Sequence, residues 1–103
     1  MKRNIPSLAA LEVFEACARY ASFTRAAEEL GITQSAVSRQ VAQLEEFLGV
    51  RLFERVRKRV LITSAGKSYA DKIRTILKQT EKATEDITAA ETGRVLHISS
   101  YAT

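Results

Sequence analysis

Gly31 constrains this chain more than any other residue, because it separates two stretches that each carry their own helix start. Upstream, Thr24 is placed to cap a short helix in which Ala27 and Leu30 lie three apart. A glycine just past Leu30 readily takes the positive φ that ends a helix. Downstream, after Ile32 alone, Thr33 is again a good N-cap. Val37, Val41, Leu44 and Leu48 follow at spacings of four, three and four, drawing one apolar stripe along a second helix. Two helices joined this tightly through a glycine predict a helix-turn-helix.

The side of the second helix away from the stripe carries the chemistry. At about 100° per residue, Ser35, Ser38, Arg39 and Ala42 point away from the valines and leucines. These side chains are small or hydrogen-bonding and crowd the helix N-terminus, which suits a helix entering a DNA major groove end-first. Gln34 is suited to an adenine edge or a phosphate. Ser35 and Ser38 are suited to donate to phosphate or base, and Arg39 to fork onto guanine or clamp the backbone. A polar face of this kind on an arbitrary helix is simply solvated, so the assignment depends on what surrounds it.

A cationic hairpin comes next along the chain. Gly49 ends the helix, and Val50 to Arg55 and Arg59 to Thr63 are β-prone runs around Val56-Arg57-Lys58. Arg55, Arg57, Lys58 and Arg59 place four positive charges in five residues, a density that at a hairpin tip favours phosphate or the minor groove. Arg57 and Lys58 rank first. Arg55, after Phe53-Glu54, is expected to be partly structural, paired with a carboxylate. The whole chain carries a net charge of +4 and a pI near 9.5, which permits nucleic-acid binding without requiring it.

Before these elements, Pro6 and Ser7 begin a helix in which Leu8, Leu11, Phe14 and Ala18 form a stripe widened by Val13 and Cys17, ending near Tyr20. Phe23 is expected to act as a hydrophobic staple ahead of the Thr24 cap, against Leu30 or Ala27. Ser22 and Thr24 are alternatively phosphate ligands, since a helix end can cap and bind phosphate at once.

After the hairpin, Thr63 caps a helix expected to run from Ser64 to about Glu91. Tyr69, Ile73, Ile76, Thr80, Ala83, Ile87 and Ala90 repeat along it at alternating spacings of four and three, with Ala70 and Leu77 beside them. A sustained 3.5-residue repeat is the pattern of a two-helix seam. A small domain cannot cover a helix of about 42 Å, so a second copy of the chain is the expected partner. Its thin seam suits close antiparallel or shallow packing. Gly93 is expected to break this helix, and Arg94 to Thr103 to begin a strand.

Enzymatic classes find no support. There is no carboxylate pair with a base, no Ser-His-Asp set, no glycine-rich phosphate loop and no metal constellation. The single cysteine, Cys17, lies on an apolar helix and is expected to be buried, and His97 has no second ligand nearby. The N-terminal residues lack the apolar core of a signal peptide and no run is long enough to span a membrane, so a cytoplasmic protein is expected.

From about Leu8 to Gly66 the chain resembles the N-terminal winged helix-turn-helix domain of the LysR-type transcriptional regulators. The likeness rests on Ser22-Phe23-Thr24-Arg25-Ala26-Ala27, Thr33-Gln34-Ser35-Ala36-Val37-Ser38-Arg39-Gln40, Leu44-Glu45, Leu48-Gly49, Leu52-Phe53-Glu54-Arg55 and Thr63-Ser64-Ala65-Gly66. Six motifs in order are far more specific than any one of them. The resemblance implies a mostly α protein. Three helices and a two-stranded wing span residues 1–63, a linker and dimerisation helix spans 64–92, and 93–103 begin an effector-binding domain that is otherwise absent.

It further implies a bacterial dimer on a partly two-fold promoter site, with residues matching Gln34, Ser35, Ser38 and Arg39 at the DNA surface and further contacts from the wing. Many relatives carry a small residue where this chain has Val56. The expected DNA ligands are therefore Thr24, Thr33, Gln34, Ser35, Ser38, Arg39, Arg55, Arg57, Lys58 and Arg59. The expected dimer contacts are Tyr69, Ile73, Ile76, Leu77, Thr80, Ala83 and Ile87. No cofactor is expected in these residues, the small-molecule effector of a longer protein is unidentified, and a tetramer is left open for it. Two other readings remain: the similar winged domain of molybdate-responsive regulators, and a coiled-coil module whose winged domain binds protein.

Overall fold

The computed structural model describes residues 4–97, with side chains described through residue 90. Three helices come first: α1 (Leu8–Tyr20), α2 (Phe23–Leu30) and α3 (Gln34–Leu48). A hairpin of β1 (Phe53–Val56) and β2 (Arg59–Ile62) follows, and α4 (Ser64–His97) completes the chain. The mostly helical, winged architecture is the one expected.

Local chemistry accounts for most boundaries. The Ser7 hydroxyl accepts the Ala10 N–H at 3.1 Å to start α1, and the Thr33 hydroxyl accepts the Ala36 N–H at 3.0 Å to start α3. Gly31 ends α2 in the left-handed region at φ 69°, its N–H donating to the Ala27 carbonyl. At the start of α2 the cap lies earlier in the chain than expected. Ser22, not Thr24, accepts the Arg25 N–H, at 3.1 Å.

Phe23 is consequently the first helical residue rather than a staple ahead of the cap. It is buried, and its ring meets Phe53 edge-on with centroids 5.5 Å apart. The position of the cap is thus decided by a contact with the wing, far away in sequence.

The core lies where α1, α2 and α3 meet under the root of α4. Phe14 is fully buried, with ring centroids 5.6 Å from Phe53 and 5.5 Å from Tyr69. Val37, Val41 and Leu44 turn the α3 stripe inward, and Cys17 is buried as its neighbours predicted. Burial pushes the Cys17 thiol up to about 12, leaving it unreactive near neutral pH. Leu8, which completes the α1 pattern in the sequence, is exposed.

Two motif residues fasten the wing. Both the Leu52 and Phe53 N–H groups donate to Glu45 Oε2, at 2.8 and 3.1 Å, tying the hairpin entry to α3. The Thr63 hydroxyl donates to the Arg51 carbonyl at 2.8 Å and accepts the Gly66 N–H at 3.0 Å, so it joins the hairpin to the first turn of α4. Gly66 is required by close approach. A Cβ there would lie 2.2 Å from the Leu52 carbonyl oxygen.

The long helix departs from expectation twice. It passes through Gly93 to His97 without a break. A single interior glycine costs only about 1 kcal/mol relative to alanine, which does not by itself end a helix. Arg94 to His97, expected as strand, are helical, and residues 98–103 of that expected strand lie outside the described residues. The 3.5-residue stripe also divides. Ala70 and Ile73 are buried in the chain's own core, and Tyr69 and Leu77 pack against it. Tyr69, Ile73 and Leu77 are therefore core contacts in this fold, whereas Ile76, Thr80, Ala83 and Ile87 are exposed.

Candidate nucleic-acid interface

The polar front of α3 stands in solvent as its spacing required. Gln34, Ser35 and Arg39 are exposed and Ser38 is half-buried, while Thr33 holds the helix end with its hydroxyl. No acidic residue occurs on α3 before Glu45, so its first turns face outward without a competing negative charge.

The wing lies beside that front. β1 and β2 pair antiparallel from Phe53 opposite Ile62 to Val56 opposite Arg59, leaving Arg57 and Lys58 as a two-residue turn. Both turn residues have positive φ, 52° and 68°. Hairpins favour a turn of this hand because its twist matches the strands, but it usually carries Asn-Gly. Non-glycine residues held there cost about 1–2 kcal/mol each. Strain retained at an exposed tip is characteristic of functional sites. Here it puts two cations at the extremity of the hairpin.

Arg55 takes a different role from the carboxylate partner expected for it. Its guanidinium lies over the Phe23 ring, 4.8 Å from the centroid, and donates from Nη2 to Ser38 Oγ at 3.1 Å. One side chain of β1 thus spans the first residue of α2 and the exposed front of α3. A contact between three elements leaves no trace in local spacing. A second link joins the two helices of the motif, with Thr24 Oγ1 donating to Gln34 Oε1 at 3.1 Å.

Between the start of α2 and the wing runs a groove of about 630 Å³ lined in part by Thr24, Gln34, Arg55, Lys58 and Arg59. The structure therefore brings five of the ten expected DNA ligands to one trough. Ser35 and Arg39 lie on the α3 front beside it, and Arg57 is at the tip.

Outside the groove, charges pair within the domain. Arg19 donates to Glu15 and to Glu29 at 2.8–3.1 Å, Arg74 reaches Glu15 at 3.2 Å, and the Tyr20 hydroxyl donates to Glu29. The Arg19 hydrogen bond holds the Glu15 carboxyl below its ordinary range, and Arg19 with Tyr20 lowers Glu29 to about 2. Glu15 and Arg19 are an i,i+4 pair on one helix, whereas Arg74 lies 59 residues from Glu15 along the chain. This network ties α1 to α2 and α4. Arg19 and Arg74 are thus engaged in the fold, whereas Arg57, Lys58 and Arg59 of the wing are exposed.

Among the described residues no helix is long and apolar enough to cross a membrane. Residues 8–67 match the model of the bacterial regulatory helix-turn-helix proteins of the lysR family. The chain is 46% identical over 99 residues to the glycine cleavage system transcriptional activator of Escherichia coli (strain K12), an alignment covering 96% of this chain and 32% of that protein. It thus spans about a third of the length of that relative.

Among solved structures it is similar to the BenM DBD/catB site 1 DNA complex, with TM-score 0.79, 31% identity and coverage of 86% of this chain and 96% of that one. It is also similar to the CbnR DBD-DNA complex, with TM-score 0.75, 30% identity and coverage of 84% and 99%. With the family match extending over both helices of the motif, the wing and the root of α4, this chain belongs to the lysR family of bacterial regulatory helix-turn-helix proteins.

Proposed function

We propose that this chain is the sequence-specific, double-stranded DNA-binding part of a bacterial transcription regulator. It acts in the cytoplasm as a homodimer and catalyses no reaction. The observation that carries the reading is the exposed α3 front, free of acid through its first turns, braced by Arg55 against a wing whose tip is Arg57-Lys58. In this reading α3 enters the major groove, where Gln34, Ser35, Ser38 and Arg39 meet base edges and phosphates. The wing cations lie along the backbone or in the adjoining minor groove.

The dimer is read from α4. Beyond Leu77 its apolar residues have nothing to pack on within the described residues, and Ile76, Thr80, Ala83 and Ile87 line a shallow depression along one side. A partner helix laid there presents two α3 helices to successive turns of a two-fold site. Titration of a duplex site at increasing salt tests the reading: log Kobs falls linearly with log salt, with a slope of about −0.9 per neutralised phosphate. Salt-insensitive binding rejects it. Family membership does not favour the molybdate-responsive regulator, nor a winged domain that binds protein.

A further inference from the structure

Two of the side chains that face DNA in the reading above are already engaged, each in a way that sets which end points outward. A glutamine amide carries an acceptor oxygen and a donor nitrogen, so a free Gln34 can pair with both N6 and N7 of adenine. In this chain Oε1 accepts the Thr24 hydroxyl at 3.1 Å, which turns the oxygen end of the amide towards α2. The Nε2 donors have no partner among the described residues, and Gln34 lines the groove together with Thr24 and Arg55.

Ser38 is constrained from the other side. Its oxygen accepts from Arg55 Nη2 at 3.1 Å, which takes up one of its two lone pairs and leaves its O–H free to donate. Arg55 is itself fixed by its stacking on the buried Phe23 ring. Arg39, exposed beside them, has only donors to offer.

We propose that Thr24 and Arg55 are positioning residues that set the hydrogen-bond polarity of Gln34 and Ser38, so that these two side chains of the α3 front present donors first and favour acceptor groups in the major groove. Guanine N7 and O6, adenine N7 and thymine O4 are then favoured over the donors adenine N6 and cytosine N4. The proposal rests on the DNA-binding reading and narrows it. Base preference therefore depends on two residues that need not touch a base.

Duplex sites retained from a random pool provide the test. Purine in place of adenine, position by position, removes the N6 amino group and keeps N7. Wild-type affinity is expected to change by less than about twofold at every pair whose preference disappears in Gln34→Ala or Ser38→Ala. In Thr24→Val the pool preference changes at one pair per half-site, and purine at an adenine selected there costs about tenfold. Thr24→Ser restores the wild-type pattern. Arg55→Met, which keeps an apolar stem over Phe23, changes the preference at the pair lost in Ser38→Ala.

A tenfold wild-type loss on purine substitution that vanishes in Gln34→Ala overturns the proposal. So do Thr24→Val and Arg55→Met pools with the wild-type base preference, whatever their overall affinity. A wild-type chain that retains no DNA from the pool overturns the DNA-binding reading as well, so the two failures are distinct.

Discussion

Gly66 stands against the backbone of Leu52 so closely that a methyl group on its Cα would lie 2.2 Å from the Leu52 carbonyl oxygen. The same carbonyl accepts the Thr63 N–H at 3.0 Å, so it cannot retreat without breaking the joint between wing and long helix. Gly66→Ala is expected to destabilise the domain by about 1–3 kcal/mol, as overpacking does. In a domain of this size that lowers Tm by several degrees, about 4–8 °C for each kcal/mol. Thermal unfolding followed by circular dichroism checks this, and an unchanged Tm shows that the contact relaxes freely.

In the proposed interface, charge at the wing and charge on α3 are expected to separate in their effects on DNA. Arg57→Ala with Lys58→Ala is expected to weaken binding to all sequences alike and to flatten the salt dependence by about one to two phosphates. Arg39→Ala is expected to cost about 1–3 kcal/mol on the preferred site and less on others. Neither changes the circular dichroism spectrum, because all three side chains are exposed. Fluorescence anisotropy with matched and scrambled duplexes distinguishes the two outcomes.

The dimer seam is tested with residues that the fold leaves free. Ile73 is 4% exposed, and a charge there unfolds the domain rather than dissociating it. Ile76 and Ile87 are 48% and 69% exposed, so Ile76→Glu with Ile87→Glu should leave the domain folded and give a monomer with weakened binding to a two-half-site duplex. A dimer persisting in sedimentation at micromolar concentration removes α4 as the interface.

Acid should loosen the domain through Glu15 and Glu29. Both carboxyls are held below their ordinary value in the folded chain by hydrogen bonds from Arg19, Glu29 to about 2. The unfolded chain consequently binds more protons as pH falls, and their contribution, intact above about 4.5, is lost as pH drops towards about 2. The urea midpoint should decline across that window in the wild type and decline less in Arg19→Met. Parallel curves for the two proteins exclude this network as the source.

Much of the fold was legible because it is locally encoded. Ser7, Thr33 and Thr63 cap as their positions suggest, and the α3 stripe at Val37, Val41 and Leu44 names its own buried face. The misreadings lie where distant contacts decide. Ser22 and Thr24 are both competent caps, and burial of Phe23 against Phe53 selects the first. The repeat along α4 shows that a stripe exists without showing what covers it, and Tyr69 and Ile73 are claimed by the domain's own core. Arg55 was identified as a wing cation, but its stacking on Phe23 and its bond to Ser38 require three elements to be placed at once. The groove was legible as residue types, and its hydrogen-bond directions were not.

Only Thr63 separates the end of β2 from the start of α4, and its hydroxyl and the Gly66 contact leave that corner no slack. A rod of about 50 Å rooted in so stiff an elbow behaves as a crank handle. In the proposed dimer, a swivel imposed at its far end is passed on through that elbow, so the stance of two paired heads on a duplex can change while each reading face keeps its own geometry.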